Sequence, residues 1–415
     1  MKRSRAVAPR LKHLAFFEKL VDVAEETPTY RGAIAGLLTL RLIDHWVLAG
    51  AVMVEPESAS VRAVRQAIMA IAANDPQREV LLGVVNTMQT LREVDMQPLL
   101  PRMFAYAGML EKRGMLGLAE DVYRSIVRLG SDVYDGDLII DSNMRLGYCL
   151  RVQGALADAE AAYTTAGAIA KRLREPSGLF RSQIGLANVA AARGNLPLAD
   201  EMLEEIVSAS RSAGLRDVSA LALHDHSVVA RKRNDFDRAV CLCYSALQLT
   251  LSERHRERIL GDLGVCFLAM GHHEAARDAL LVQEATAVSP EMRTLAVLNL
   301  MSLAGRECDA TQFNRYRNAL SNVSLAPDVR TDFLIESARG LRNLGDAQQA
   351  RMLLEEALVS AREHEFHRAV FEAEEMIAAM QTGPAESSGR TPSVLSAPAA
   401  QVQLVLRTMA QAIAA

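Results

Sequence analysis

Turn-forming residues recur along this chain at a nearly constant interval. Counted from the Gly or Asn that follows each candidate helix, the spacing is 40 residues three times, then 37, then 74, which is twice 37. The turn residues are Gly114, Gly154, Gly194, Asn234, Gly271 and Gly345. The doubled interval predicts one more turn at Cys308. Such a regular interval in 415 residues predicts a repeat array rather than one compact core.

A second recurring position lies five residues after each turn residue, and we call it the small position. Ala occupies it in every repeat except the sixth, where Phe313 stands. The alanines are Ala119, Ala159, Ala199, Ala239, Ala276 and Ala350. A turn Gly or Asn can adopt the left-handed conformation that ends a helix, and a small residue on the next helix lets the two backbones approach. The pattern therefore predicts antiparallel helix pairs.

The segments LGYCLRVQGALADAEAAYTTA (146–166) and LGVCFLAMGHHEAARDAL (263–280) resemble tetratricopeptide repeats. The resemblance covers roughly residues 100–360. The early Trp of the family is absent (Asn143 stands there in the second repeat), and the repeats are longer than the usual ~34 residues. Such long repeats resemble those of bacterial regulator sensor domains and of kinesin light chains. The family implies an all-α fold, a right-handed α-solenoid of about seven to nine helix pairs.

The chain divides by composition into four segments. Residues 1–60 form an N-terminal helical cap, broken at Thr27–Pro28, and 61–380 form the repeats with a capping helix. Residues 381–398 are rich in Pro, Gly and Ser and read as a flexible linker. Residues 399–415 form a detached amphipathic helix, with an apolar face of Val402, Val405, Leu406, Met409 and Ile413. That face must return to the solenoid, pair with a second subunit in a homo-oligomer, or dock on a partner.

Composition limits the classes of function. The net charge of −4, from 46 basic and 50 acidic residues, argues against direct nucleic-acid binding through bulk positive charge. We find no secretory signal and no apolar run long enough to span a membrane. Five cysteines fit free thiols in a reducing compartment, so we expect a cytoplasmic protein. Arg outnumbers Lys 40 to 6, which points to a GC-rich bacterial source.

Family members bind their ligands on the concave face, which the first helix of each pair lines. The family's groove residues lie ten, six and three positions before the turn residue. Carried over to this chain, with one further Arg a helical turn earlier on two helices, they predict a groove of Met144, Tyr148, Arg151, Arg181, Ile184, Asn188, His224, Arg231 and Arg258. Arg suits carboxylates and Asn can bond a peptide backbone, so we expect a protein or peptide ligand with some acidic character. The competing interpretation is an ordinary solvated helix face.

Candidates for catalysis or metal binding are weak. His224 and His226 are two residues apart on a helix, so they point in different directions and cannot share a metal ion. Cys241 and Cys243 diverge in the same way. We find no phosphate-binding loop, dinucleotide fingerprint or HExxH motif. We therefore expect no cofactor, no metal and no enzymatic activity. The leading hypothesis is a scaffold or adaptor that binds protein, and the alternative is a peptide-sensing bacterial signalling regulator.

Overall fold

The computed structural model describes residues 12–49, 58–91, 96–131, 135–364, 366–381 and 393–414. Within those ranges every regular element is an α-helix, and inside each unit most helices pack on the helix that follows them in sequence. The predicted all-α fold of tetratricopeptide-like helix pairs is confirmed. The chain forms two compact units, Met1–Leu198 and Ala199–Ala415, which we call unit 1 and unit 2.

Unit 1 is built around one continuous hydrophobic core that runs from Phe16 to Val189. Its first two helices lie in the predicted cap, and α1 packs on both α2 and α6. The described helices of unit 1 are α1 (Leu14–Asp22), α2 (Pro28–Ala49), α3 (Ala59–Met69), α4 (Pro76–Thr90), α5 (Leu100–Lys112), α6 (Leu116–Leu129), α7 (Gly136–Val152), α8 (Leu156–Leu173) and α9 (Pro176–Ala192). The next helix, α10 (Leu196–Ser212), carries the boundary between the units.

Unit 2 continues the helix pairs, and its last helix folds back onto two earlier ones. Its remaining described helices are α11 (Arg216–Lys232), α12 (Phe236–Leu249), α13 (Glu253–Ala269), α14 (His273–Thr286), α15 (Pro290–Arg306), α16 (Ala310–Ser321), α17 (Pro327–Asn343), α18 (Ala347–Glu363), α19 (His367–Gln381) and α20 (Ala397–Ala414). Helix α20 packs on α14 and α12, so of the three destinations considered for the terminal helix it takes the solenoid. Residues 382–392, most of the predicted linker, lie outside the described residues.

Every predicted turn residue has a positive φ. The values run from 57° at Cys308 and 61° at Asn234 to 92° at Gly345. The turn predicted at Cys308 from the doubled interval is therefore present, although its residue type gives no hint of it. Asp side chains then start several second helices, because a carboxylate can accept the N–H of the third residue of the helix. Asp235, for example, accepts from the backbone N–H of Arg238.

All seven residues at the small position are fully buried, at 0% exposure. In the sixth repeat Phe313 fills this position, and glycines on the two neighbouring helices make room for its ring. A Cβ placed on Gly340 would lie 2.2 Å from Phe313 Cε2, and one on Gly305 would lie 2.8 Å from the Cα of Gly340. Helices α15 and α17 thus approach closely at two glycines with the Phe313 ring beside them.

Helix α2 contradicts the prediction that no apolar segment of the chain is long enough to span a membrane. Of the helices that the structure describes, it alone has the length and mean hydropathy (1.3) of a membrane-spanning helix. Most of that apolar surface is buried, and Leu40, Ile43 and Trp46 are at most 3% exposed within the unit 1 core. A core helix of this kind passes the same compositional test, which is why the sequence alone could not separate the two.

Candidate binding surfaces

The nine predicted groove residues are divided between the two units. Unit 1 holds six of them on α7 and α9, which pack on each other: Met144, Tyr148, Arg151, Arg181, Ile184 and Asn188. Unit 2 holds His224 and Arg231 on α11 and Arg258 on α13. Each surface is therefore a separate candidate.

In unit 1 two arginines flank one tyrosine. The guanidinium carbons of Arg145 and Arg151 lie 5.7 and 5.6 Å from the centroid of the Tyr148 ring. Residues three apart on a helix are neighbours on its surface, so the 145–148–151 spacing places all three side chains on one face of α7. A cation over an aromatic face is attracted by the ring quadrupole. We call this group the Tyr148 patch.

The cations of the Tyr148 patch differ in their partners. Arg145 forms an ion pair with Glu111 of α5 at 2.7 Å, and the Tyr123 hydroxyl donates to the same carboxylate at 3.1 Å. Burial lowers the pKa of Arg145, but the Glu111 charge outweighs this and leaves the pKa raised. Arg151 has no carboxylate within ion-pair distance in the described chain, and its Nε is buried there without a hydrogen-bond partner. Arg151 is thus the cation of the patch that can bind an external anion.

The α9 side of the same surface is partly neutralised. Arg181 lies 2.8 Å from Asp141 of α7, with its side chain 35% exposed. Met144 and Asn188 are half-buried. Ile184 is only 6% exposed, so it packs in the core and offers no contact surface, contrary to the prediction. Whether an aliphatic side chain at a groove position is buried depends on the side chains of neighbouring helices, and the spacing of the repeats alone does not predict it.

In unit 2 His224 is also buried, at 3% exposure, and it belongs to a chain of four hydrogen-bonded groups. Its Nε2 lies 2.8 Å from Asp262 Oδ2, and its Nδ1 lies 3.0 Å from His255 Nε2. His255 Nδ1 in turn lies 3.1 Å from Thr250 Oγ1. A carboxylate only accepts, so donation runs from Thr250 through His255 and His224 to Asp262. This His224 chain holds α11 and α13 together, and His224 is not the exposed groove residue that was predicted.

Electrostatics favour the neutral form of the His255 imidazole and the ionised form of the Asp262 carboxylate. Burial, together with nearby His224 and Arg258, lowers the pKa of His255 from 6.5 to about 4. Burial raises the pKa of Asp262, but the His224 hydrogen bond and the charges around it outweigh burial and leave the pKa lowered. Arg231 lies 3.6 Å from Asp262, while Arg258 is exposed. These two arginines remain the accessible part of the predicted groove in unit 2.

His226 points away from His224, as the two-residue spacing predicted. It contacts Asp200 at 2.7 Å, and Arg233 and Arg238 both pair with the same carboxylate. Within the described residues no group of three His, Cys, Asp or Glu side chains is arranged to hold a metal ion. Asp200 therefore serves as an ion-pair centre for α10, α11 and α12.

Sequence reasoning missed Arg145, His255 and Asp262. Arg145 could have been found from its position three residues before Tyr148. His255 and Asp262 lie 31 and 38 residues after His224, and only the packing of α13 on its neighbours brings them within hydrogen-bond distance. No local spacing signals that contact.

Comparison with known proteins gives one family match, over the C-terminal quarter of the chain. A family model described as "Tetratrico peptide repeat" matches residues 300–410. No curated protein matches the sequence.

Three solved structures are similar to the chain. PilF of Pseudomonas aeruginosa is 17% identical, with 59% of this chain and 98% of that chain covered and a TM-score of 0.42. BtubC from P. vanneervenii is 18% identical, with 72% and 98% covered and a TM-score of 0.35. The apo form of RapI is 12% identical, with 88% and 98% covered and a TM-score of 0.46.

Proposed function

We propose that this chain, a tetratricopeptide repeat protein, is a non-catalytic adaptor that binds an acidic peptide segment of a partner protein on the Tyr148 patch. Repeat solenoids of this family commonly bind proteins through the face that their first helices line. The single observation that supports the proposed ligand is Arg151, a half-buried cation over the Tyr148 ring that forms no ion pair with a described carboxylate.

The chemistry of the patch favours a carboxylate-bearing ligand. A guanidinium presents paired N–H donors that match the two oxygens of a carboxylate. Tyr148 adds an amphipathic ring beside them, and Met144 on the same helix offers flexible apolar contact. A ligand with a Glu or Asp next to an apolar residue would satisfy both. The signalling alternative keeps this binding step and adds an effector, so a test of binding bears on both.

The test uses the full-length chain and two fluorescein-labelled peptide pools, one of Glu-rich and one of Lys-rich 12-residue peptides with one random apolar position. Fluorescence polarisation is expected to show tighter binding of the Glu-rich pool, with an affinity that falls as salt is raised. Arg151→Glu should weaken that binding at least tenfold, since it replaces attraction with repulsion.

Arg193→Glu is the matched control. It makes the same charge change in unit 1, at an exposed residue that pairs with Glu160 near the end of α9. It should leave binding within about twofold, because exposed ion pairs contribute little. Equal affinity for the two pools, or an Arg151→Glu chain that binds as well as the control, would contradict the proposal.

A further inference from the structure

Helix α20 is seated on the outer face of two second helices of unit 2. Ala399, Val402 and Leu406 are buried to 1% exposure or less, while Leu404 on the opposite side of the helix is 56% exposed. The buried residues are spaced three and four apart, which is one face of a helix. The face that the sequence predicted as apolar is thus used only in part, since Ile413 is 44% exposed.

Backbone hydrogen bonds fix the segment that leads into α20. The N–H of Ser393 donates to the Met270 carbonyl at 3.1 Å, and His272 Nε2 donates to the Ser393 carbonyl at 2.7 Å. The N–H of Ser396 donates to the carboxylate of Asp237 at 2.9 Å. The start of α20 is therefore held at the end of α13 and at the start of α12.

The fourth repeat differs from the other repeats at a position that lies next to the Ser393 contact. One residue after the small position, the other repeats carry a charged or polar residue, and in four of them it bonds to the next repeat. Those pairs are Glu120 with Gln153, Glu160 with Arg193, Asp200 with Arg233, and Arg277 with Glu307. In the fourth repeat the same position is Val240, which is fully buried, and Met270 is only 7% exposed. An apolar surface replaces the ion pair next to the Ser393 contact.

The outer face of helix α14 is likewise more apolar than the same face in other repeats. Ala275 and Val282 are both 0% exposed. The residues at the position of Val282 in three other repeats are exposed: Thr165, Glu205 and Glu356. An apolar face that spans eight residues, from Ala275 to Val282, with a small residue at one end, suits the close approach of a second helix.

Acidic side chains border this apolar face. Arg407 of α20 pairs with Glu274 at 2.6 Å, and Asp237 accepts the Ser396 N–H. Burial raises the pKa of Asp278, and the Arg407 charge acts against this. The surface thus combines apolar residues with one carboxylate at the start of the docked helix and another just past its middle. We call it the α20 site.

We infer that the α20 site is a binding site for an amphipathic helix of a partner protein, and that α20 is a tethered occupant which such a helix displaces. The partner helix would carry a small residue, an aliphatic residue three positions on, another four further on, and a cation directly after it. This is the pattern of Ala399, Val402, Leu406 and Arg407, which the apolar residues and the acidic border already fit. The inference is independent of the Tyr148 patch, which lies in unit 1.

Displacement has to break three kinds of contact that hold α20. They are three fully buried side chains, the exposed Arg407–Glu274 pair, and the hydrogen bonds of Ser393 and Ser396. Eleven residues (382–392) separate α19 from Ser393. The tether gives α20 a concentration advantage that a partner helix must overcome by affinity or by a second contact.

The test uses the full-length chain and a fluorescein-labelled peptide of residues 393–415 as the probe. Val402→Asp/Leu406→Asp in the chain should release α20 and open the site, and the opened chain should bind the peptide at least tenfold more tightly than the wild-type chain does. Ala399→Glu is a second opening variant with the same expected result. Circular dichroism checks that the opened chains remain helical.

Leu404→Asp is the control matched in charge to Ala399→Glu, since it places one negative charge on the exposed side of α20, and it should leave peptide binding as weak as in the wild-type chain. In the opened chain Glu274→Arg should weaken binding of the wild-type peptide, and the Arg407→Glu peptide should restore it. Folded opened chains that bind no peptide, or a wild-type chain that binds as tightly as the opened one, would overturn the inference. So would light scattering that shows a wild-type dimer lost in the opened chain, because the occupant would then be a second copy.

Discussion

At the scale of single residues, the turns show that conformation is conserved along the array where residue type is not. Cys308 and Asn234 hold the same left-handed backbone as the five turn glycines. For a residue with a Cβ this conformation costs about 1 kcal/mol, and Asn tolerates it better than Cys. Cys308 is therefore the turn residue whose backbone conformation is the most strained.

Cys308→Gly is expected to raise the free energy of unfolding by about 0.5–1 kcal/mol, because glycine adopts positive φ without steric cost. Urea unfolding followed by circular dichroism measures it. Asn322→Gly is the control, since Asn322 ends α16 at an ordinary φ of −94° and gains nothing from glycine. An equal gain in both variants, or a loss at Cys308, would show that the left-handed turn is not strained.

The second prediction at this scale concerns pH and His255. Its pKa falls from 6.5 to about 4 on folding, so between those values the unfolded chain binds a proton that the folded chain does not. The contribution to stability is therefore complete above pH 6.5 and is lost as the pH falls towards 4. Between pH 7 and pH 5 the loss should be about 2 kcal/mol.

The measurement is urea unfolding of the wild-type chain and of His255→Gln at pH 7 and pH 5. The variant is less stable at pH 7, since it breaks the His224 chain, but its loss between the two pH values should be smaller by about 2 kcal/mol. His364→Gln, at an exposed residue after α18, should keep the wild-type loss. A His255→Gln chain with the full wild-type loss would assign the pH dependence to other groups.

At the scale of helices, the packing of the sixth pair combines a large side chain on one helix with glycines on the two helices beside it. Phe313 occupies a position that is otherwise Ala, and Gly340 and Gly305 give up the space that its ring needs. Gly340→Ala should therefore destabilise the chain by about 1–3 kcal/mol through overpacking, and Phe313→Ala by about 3–5 kcal/mol through a cavity.

The double variant Phe313→Ala/Gly340→Ala should cost at least ~1 kcal/mol less than the sum of the single variants, since each removes the conflict that the other creates. Urea unfolding of all four chains closes the cycle. Gly345→Ala is unsuitable as a control because of its positive φ, whereas Gly83→Ala in α4 meets only the Arg102 guanidinium at 3.8 Å. Strict additivity would mean that ring and glycine do not share their space.

Helices, turns and pairing could be predicted because each depends on residues close in sequence. A turn residue and a small position five residues later specify a helix pair, and this held even at Cys308 and Phe313. Burial at the groove positions could not be predicted in the same way. Ile184 and His224 are covered by side chains from other helices, and the partners of His224 lie at least 31 residues away. The nine-residue groove therefore stays a prediction for its exposed members.

At the scale of the whole molecule, the two units differ in what covers their outer helices. In unit 1 α1 packs on α6, and in unit 2 α20 packs on α14 and α12. Both covering helices come from outside the run of repeats, α1 before it and α20 after it. The sequence showed that the terminal helix had an apolar face to bury, but three destinations satisfied that requirement equally. The apolar residues Val240 and Val282 were the signal that could have selected among them.

The distance in sequence between α20 and its seat has a consequence during synthesis. Ser393 bonds to a carbonyl 123 residues earlier in the chain. At translation rates of roughly 5–20 residues per second, α12 and α14 emerge some 6–25 s before the helix that covers them. For that interval every nascent chain carries an open apolar face with an acidic border. A chaperone or a partner that binds this face would therefore find it most accessible on the ribosome, before α20 has been synthesised.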